Sequence, residues 1–76
     1  PEGETETRSF VISEMQYVEI AGETYVYLAG DDGMVYWQKF SDNEQLIFLH
    51  EGDTVTVNGI KDKDNIYWID TIGIMQ

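Results

Sequence analysis

The chain has 76 residues, one domain's worth, and a chain this short buries only about 60% of the surface its unfolded form exposes. It contains no cysteine, which excludes a disulfide scaffold and a thiolate metal site, so its 42% hydrophobic residues, ten aromatics among them, must build the core alone. Fifteen acidic residues against four basic ones leave a formal charge of −11, a balance that disfavours anionic partners such as nucleic acid or lipid headgroups.

Pro1 to Thr7 has no hydrophobic residue and three glutamates, and residues 1–8 are expected to form an acidic linker or tail ahead of a single domain over residues 9–76. The start at Pro1, without methionine, reads as a piece excised or processed from a longer protein. From Phe10 onward, β-branched and aromatic residues recur in short runs separated by turn residues about every ten positions, which is a β signal. The first run, Arg8 to Ile20, is long, and Ser13, Glu14 and Gln16 interrupt its alternation, predicting a bulge or bend. A turn at Ala21-Gly22-Glu23 leads into a strand over Tyr25–Ala29. Asp31-Asp32-Gly33 then fits a three-residue hairpin loop, a type I turn ending in a left-handed glycine, and Met34 to Phe40 returns as the partner strand.

The single helical signature follows. Ser41-x-x-Glu44 matches a capping box, Leu46 and Leu49 lie one turn apart on one face, and Gly52 is placed to terminate the helix. Thr54-Val55-Thr56-Val57 alternates as a strand that Asn58-Gly59 closes, Lys61 to Asn65 is a charged loop, and Ile66 to Ile72 is the last strand, with Ile74 as its furthest reach. Two registers fit that strand: Ile66, Trp68 and Ile72 inward, or Tyr67 and Ile69 inward.

The expected fold is all-β with one short helix between strands three and four. A long bent first strand, a hairpin, a short helix and two more strands resemble the OB-fold order, that of a five-stranded Greek-key barrel. The stretch Glu51-Gly52-Asp53-Thr54-Val55-Thr56-Val57-Asn58-Gly59 is similar to the GDxVxVxG turn-and-strand of OB-fold fourth strands. An SH3-like barrel and an α+β sandwich are the rival arrangements. The general look of a small, acidic, cysteine-free domain resembles OB-like modules appended to secreted or envelope-associated bacterial proteins, which implies an accessory role in a longer chain.

In OB folds, ligands bind on the face of the second and third strands, so the register of that hairpin decides the candidate site. With Asp31–Gly33 as the loop, Tyr27 lies opposite Trp37. Tyr25, Tyr27, Val35, Trp37 and Lys39 then share one face, while Val26, Leu28, Tyr36 and Phe40 share the other, the core side. A two- or four-residue loop would instead group Tyr25, Tyr27 and Tyr36. Tyr25, Tyr27, Trp37 and Lys39 are therefore the candidate ligand-binding residues.

Catalytic chemistry has little to stand on, and no enzyme is expected. His50 is the sole histidine, near the predicted helix C-terminus where a partly cationic ring meets the dipole. Serines 9, 13 and 41 lack a nucleophile context. Asp62-x-Asp64-Asn65 starts like a calcium loop, but Ile66 takes the next ligand position and the required glycine and distal glutamate are missing. Asp31, Asp32, Asp62 and Asp64 are accordingly read as turn residues, and neither metal nor cofactor is expected. No apolar run approaches a membrane span, so no membrane insertion is expected. The leading functional expectation is a protein-interaction module working through the hairpin face. Single-stranded nucleic-acid binding by the outer aromatics is the alternative, which the charge disfavours, and oligosaccharide or small-ligand binding is a third.

Overall fold

The computed structural model describes residues 5–75. Five strands, β1 (Thr5–Ile20), β2 (Glu23–Gly30), β3 (Val35–Lys39), β4 (Thr54–Lys61) and β5 (Tyr67–Met75), close into a barrel in the order β1-β2-β3-β5-β4. All neighbours are antiparallel except β3 and β5, which are parallel. Closure depends on β1, whose first half, Thr5–Val11, pairs with β4 and whose second half, Ile12–Ile20, pairs with β2. The bend between the halves falls at the expected place: the register slips between Ile12 and Glu14, and Ser13 Oγ donates to the Ala29 carbonyl across the gap. The strand starts earlier than expected. Residues 5–8, assigned from composition to the tail, are ladder residues opposite Val57–Ile60, because backbone pairing needs no hydrophobic side chain.

The turns that set the hairpins obey their residues. Ile20 pairs with Glu23, leaving a two-residue turn in which Ala21 (φ 53°) and Gly22 (φ 80°) are both left-handed, the type I′ geometry that matches strand twist. Asp31–Gly33 forms the expected three-residue loop, with the Gly30 N–H bonded to the Met34 carbonyl at 2.9 Å and Gly33 at φ 82°. That loop places Tyr27 opposite Trp37, so Val26, Leu28 and Tyr36 point inward and are buried.

The inward set also includes Phe10, Ile12, Val55, Val57, Tyr67 and Ile69. Phe10 stacks on Tyr36 with ring centroids 4.0 Å apart, and Tyr67 meets the Tyr36 ring edge-on at 4.9 Å. The Tyr36 hydroxyl sits in a polar cluster at the barrel wall. It donates to the Asp32 carboxylate and accepts from Arg8 Nε at 3.0 Å, while the Arg8 guanidinium lies 3.7 Å from Asp32 and 3.7 Å from Glu6. Buried Gln38 donates through Nε2 to the Asp70 carbonyl at 3.3 Å, and its Oε1 has no partner among the described residues.

Both proposed registers of β5 are partly realised, because the strand is bulged. Gly59 pairs with Ile69 but Asn58 pairs with Thr71, so Asp70 is the extra residue. Before it Tyr67 and Ile69 point inward; after it the parity flips and Ile72 packs against the core. Gly59, expected to end β4, instead lies within it and is buried. A Cβ there would run into the Trp68 carbonyl oxygen, the Tyr67 ring and the Ile69 Cα, so only glycine permits the two strands to close at the bulge.

The link between β3 and β4 corrects the helix expectation. It contains two 3₁₀ turns, Phe40–Asp42 and Glu44–Phe48, broken at Asn43 (φ −157°). The capping box does not form: Asn43, not Ser41, caps the second turn by accepting from the Gln45 N–H, and Ser41 is spent on Glu23 across the structure. Leu46 and Leu49 nevertheless share a face as expected, and that face is buried, since a three-residue spacing also aligns side chains in a 3₁₀ turn. The dipole role for His50 falls with the α-helix. Its ring is largely exposed, 3.9 Å from Asp53, whose carboxylate accepts the His50 backbone N–H.

Two predictions follow from this packing. Gly59→Ala lowers stability by about 1–3 kcal/mol, whereas Gly73→Ala, where the added methyl would meet nothing, leaves the midpoint of thermal unfolding within a degree or two. Burial alone would raise the Asp32 carboxyl, but hydrogen bonds from Tyr36 and the Met34 N–H, with the nearby Arg8 charge, outweigh it and hold Asp32 below the usual carboxylate range. A depressed pKa contributes stability above its unfolded value, near 4, that is lost as pH falls through the folded one. Asp32→Asn therefore flattens the fall in melting temperature measured from about pH 4.5 down to 2.

Candidate functional site

The four residues marked by the sequence share the outer face of β2 and β3, all of them half-buried. Tyr27 and Trp37 are opposite one another and touch edge to face with centroids 5.2 Å apart; Tyr25 is opposite Lys39. The structure adds a fourth ring that the sequence left undecided. Trp68 is 39% exposed, is the register partner of Trp37 across the parallel β3–β5 pair, and meets Tyr25 edge-on at 6.1 Å. Tyr25, Tyr27, Trp37 and Trp68 thus make one aromatic surface spanning three adjacent strands. Its signal was the alternation Tyr67-Trp68-Ile69, unreadable without the position of the bulge.

The β4–β5 loop fixes Trp68 in place. Asp62 Oδ1 accepts from the backbone N–H groups of Asp64 and Ile66, its Oδ2 accepts from the Trp68 indole N–H at 3.0 Å, and Asn65 takes a left-handed conformation (φ 65°) to close the turn. The Ile66 N–H, which outweighs desolvation with help from the Trp68 and Asp64 donors and the Lys63 charge, holds the Asp62 carboxyl below its ordinary range. The aspartate that resembled a calcium ligand is thus an organiser of loop and indole. Among the described residues no group of three or more potential metal ligands is present.

The acidity of the chain is not spread over this surface. From Tyr25 to Ala29 and from Val35 to Lys39 the outward positions carry no carboxylate. Several acids elsewhere serve the backbone: Asp31 accepts the Val11 N–H, Asp32 the Met34 N–H and Asp53 the His50 N–H. Lys39, Lys61 and Lys63 form no ion pair among the described residues, whereas Arg8 is engaged with Tyr36, Asp32 and Glu6.

No protein-family model matches the chain, and no curated protein matches it. Solved structures do. The chain is similar to a protein in the crystal structure of yeast Stn1 and Ten1, with a TM-score of 0.80 and 14% identity over 95% of this chain and 43% of that one. It is also similar to Rim1, named as a mitochondrial single-stranded DNA-binding protein of S. cerevisiae, with a TM-score of 0.79 and 13% identity over 100% of this chain and 98% of Rim1. A second Rim1 structure gives 0.69 at 12% identity. The chain has the OB fold. These neighbours overturn the expectation of a protein partner as the leading one, with nucleic acid set aside on charge. The physical reason is that net charge sums the whole chain, whereas the outward positions from Tyr25 to Ala29 and from Val35 to Lys39 carry no carboxylate, and at physiological salt charges beyond about 8 Å are largely screened.

Asp62→Ala, which removes the acceptor for two backbone donors and the indole, lowers the melting temperature and shifts tryptophan emission to the red as Trp68 loosens. Asp62→Asn, which keeps an acceptor oxygen, falls between the two on both measurements.

Proposed function

We propose that this chain is a non-enzymatic binding module for single-stranded nucleic acid, which it takes by stacking bases on the outer face of β2, β3 and β5. The observation that carries this reading is the continuous surface of Tyr25, Tyr27, Trp37 and Trp68, with no carboxylate at the outward positions from Tyr25 to Ala29 and from Val35 to Lys39. OB barrels bind oligonucleotides on the face of their second and third strands, flanked by the loops after β1 and β4. The likeness to Rim1, a single-stranded DNA-binding protein by name, supports the same use of the face. Stacking is worth about 1–3 kcal/mol per base, and it is the contribution this face is built to make.

The charge shapes the mode of binding. Among the described residues, Lys39, Lys61 and Lys63 are the basic groups without an ion pair, so the slope of log K against log salt stays near −2, at about −0.7 for each contact. Affinity then comes from bases more than from phosphates. The chain's two tryptophans are Trp37 and Trp68, so intrinsic emission reports on this face.

Titration with oligo-dT at low salt should quench that emission. Trp37→Ala should weaken binding by about 5- to 150-fold, the equivalent of one lost stack, and Lys39→Ala should make the salt slope shallower by about 0.7. Unchanged fluorescence up to high micromolar oligonucleotide would sink the reading.

A further inference from the structure

The aromatic face does not end at Trp68. On the far side of that indole, between β4 and β5, lies a shallow depression of about 360 Å³ lined by Thr5, Gly59, Ile60, Trp68, Ile69 and Asp70. Trp68 and Ile60 are register partners, and both are substantially exposed. The polar groups in the lining are Thr5 and Asp70. Asp70 is exposed because it is the bulged residue of β5, and its carboxylate has no hydrogen bond or ion pair among the described residues. Its backbone is held from inside the barrel by buried Gln38. A bulge that re-aims one side chain next to an exposed tryptophan has the character of a binding feature rather than of core packing.

We infer that this depression is a base-selective pocket, in which a nucleobase stacks on Trp68 and presents its Watson–Crick edge to the Asp70 carboxylate, and that the base it favours is guanine. This inference rests on the reading that the face takes single-stranded nucleic acid. An ionised carboxylate is an acceptor only, with two oxygens side by side. Guanine is the one standard base with two adjacent N–H donors, N1–H and the N2 amino group, on that edge. Thymine and uracil present one donor between two carbonyl oxygens that a carboxylate repels. Adenine and cytosine present an amino group beside a bare ring nitrogen. A matched bidentate pair discriminates against other bases by a factor of about 5–150, converted from the energy of such pairs. An acidic side chain, a liability toward phosphate, here becomes the element that reads the base.

The test compares dT₆ with three hexamers carrying a single central guanine, inosine or adenine, by tryptophan quenching at low salt. The wild-type chain should bind the guanine hexamer at least fivefold tighter than dT₆, with inosine, which keeps N1–H but lacks the amino group, in between and adenine near dT₆. Asp70→Ala should abolish the guanine preference while leaving dT₆ affinity equal or slightly raised, since a negative charge has gone. Because Asp70 is exposed and its side chain makes no hydrogen bond or ion pair among the described residues, a melting curve close to wild type accompanies that result. If dT₆ binds but guanine brings no gain, or if Asp70→Ala shifts all four hexamers by the same factor, base selection by Asp70 is refuted and stacking on the face stands. If none of the four binds, the nucleic-acid reading fails and this inference with it.

Discussion

The Tyr36 side chain is where the barrel is tied together. Its ring lies against Phe10 of β1 and Tyr67 of β5, and its hydroxyl joins Arg8 of β1 to Asp32 of the β2–β3 turn. Burial and the bond to Asp32 both push the phenol's ionisation upward, which keeps it a donor through the physiological range. Fixing Tyr36 inward fixes the parity of β3, and with it the outward position of Trp37. The parallel pairing of Tyr36 with Tyr67 then puts Trp68 beside Trp37. The aromatic surface is in this sense the reverse side of the core: β3 and β5 each bury a tyrosine inside and display the following tryptophan outside.

Much of this was legible before the structure. The Asp31-Asp32-Gly33 loop has one comfortable geometry, and once it is granted, the alternation of Tyr25 to Lys39 assigns both faces without further information. Ser13 announced its bulge because it broke an otherwise regular pattern. Three features were not legible, each for its own reason. Ser41 and Glu44 have the spacing of a capping box, but Glu23, distant in sequence, competes for the serine, and Asn43 is the better local cap. Residues 5–8 looked like tail because composition records side chains and ladders are made of backbone. The bulge at Asp70 sits where β5 closes against Gly59, which has no side chain to hold it off, a tertiary relation that leaves no periodic trace.

Charge is the case in which a correct number led to a wrong weighting. The value of −11 describes the whole chain, but recognition is a local event, and the field at the face depends on where the carboxylates stand. Many of them stand at turns, where aspartate is the natural acceptor for stray N–H groups. A small barrel with short connections needs many such acceptors, so part of its acidity is an architectural requirement. The charges nearest the face have separate positions: Lys39 opposite Tyr25, Glu23 ahead of it on β2, Asp62 on the Trp68 indole and Asp70 two residues after Trp68.

The division of β1 between two partners also imposes an order on assembly. Its second half can zip onto β2, and β2 onto β3, through turns of two and three residues that close almost as soon as they are synthesised. Its first half has to wait for β4, so that Thr5 meets Ile60 and the Tyr67 hydroxyl reaches the Glu6 carbonyl only when nearly the whole chain is available. Contacts of such long sequence separation are the slow ones. Without the β1–β4 seam the inner stripe of Phe10 and Ile12 would have a floor but no opposite wall. The final seam, β1 against β4, is thus the step that turns a local hairpin array into a cooperative molecule.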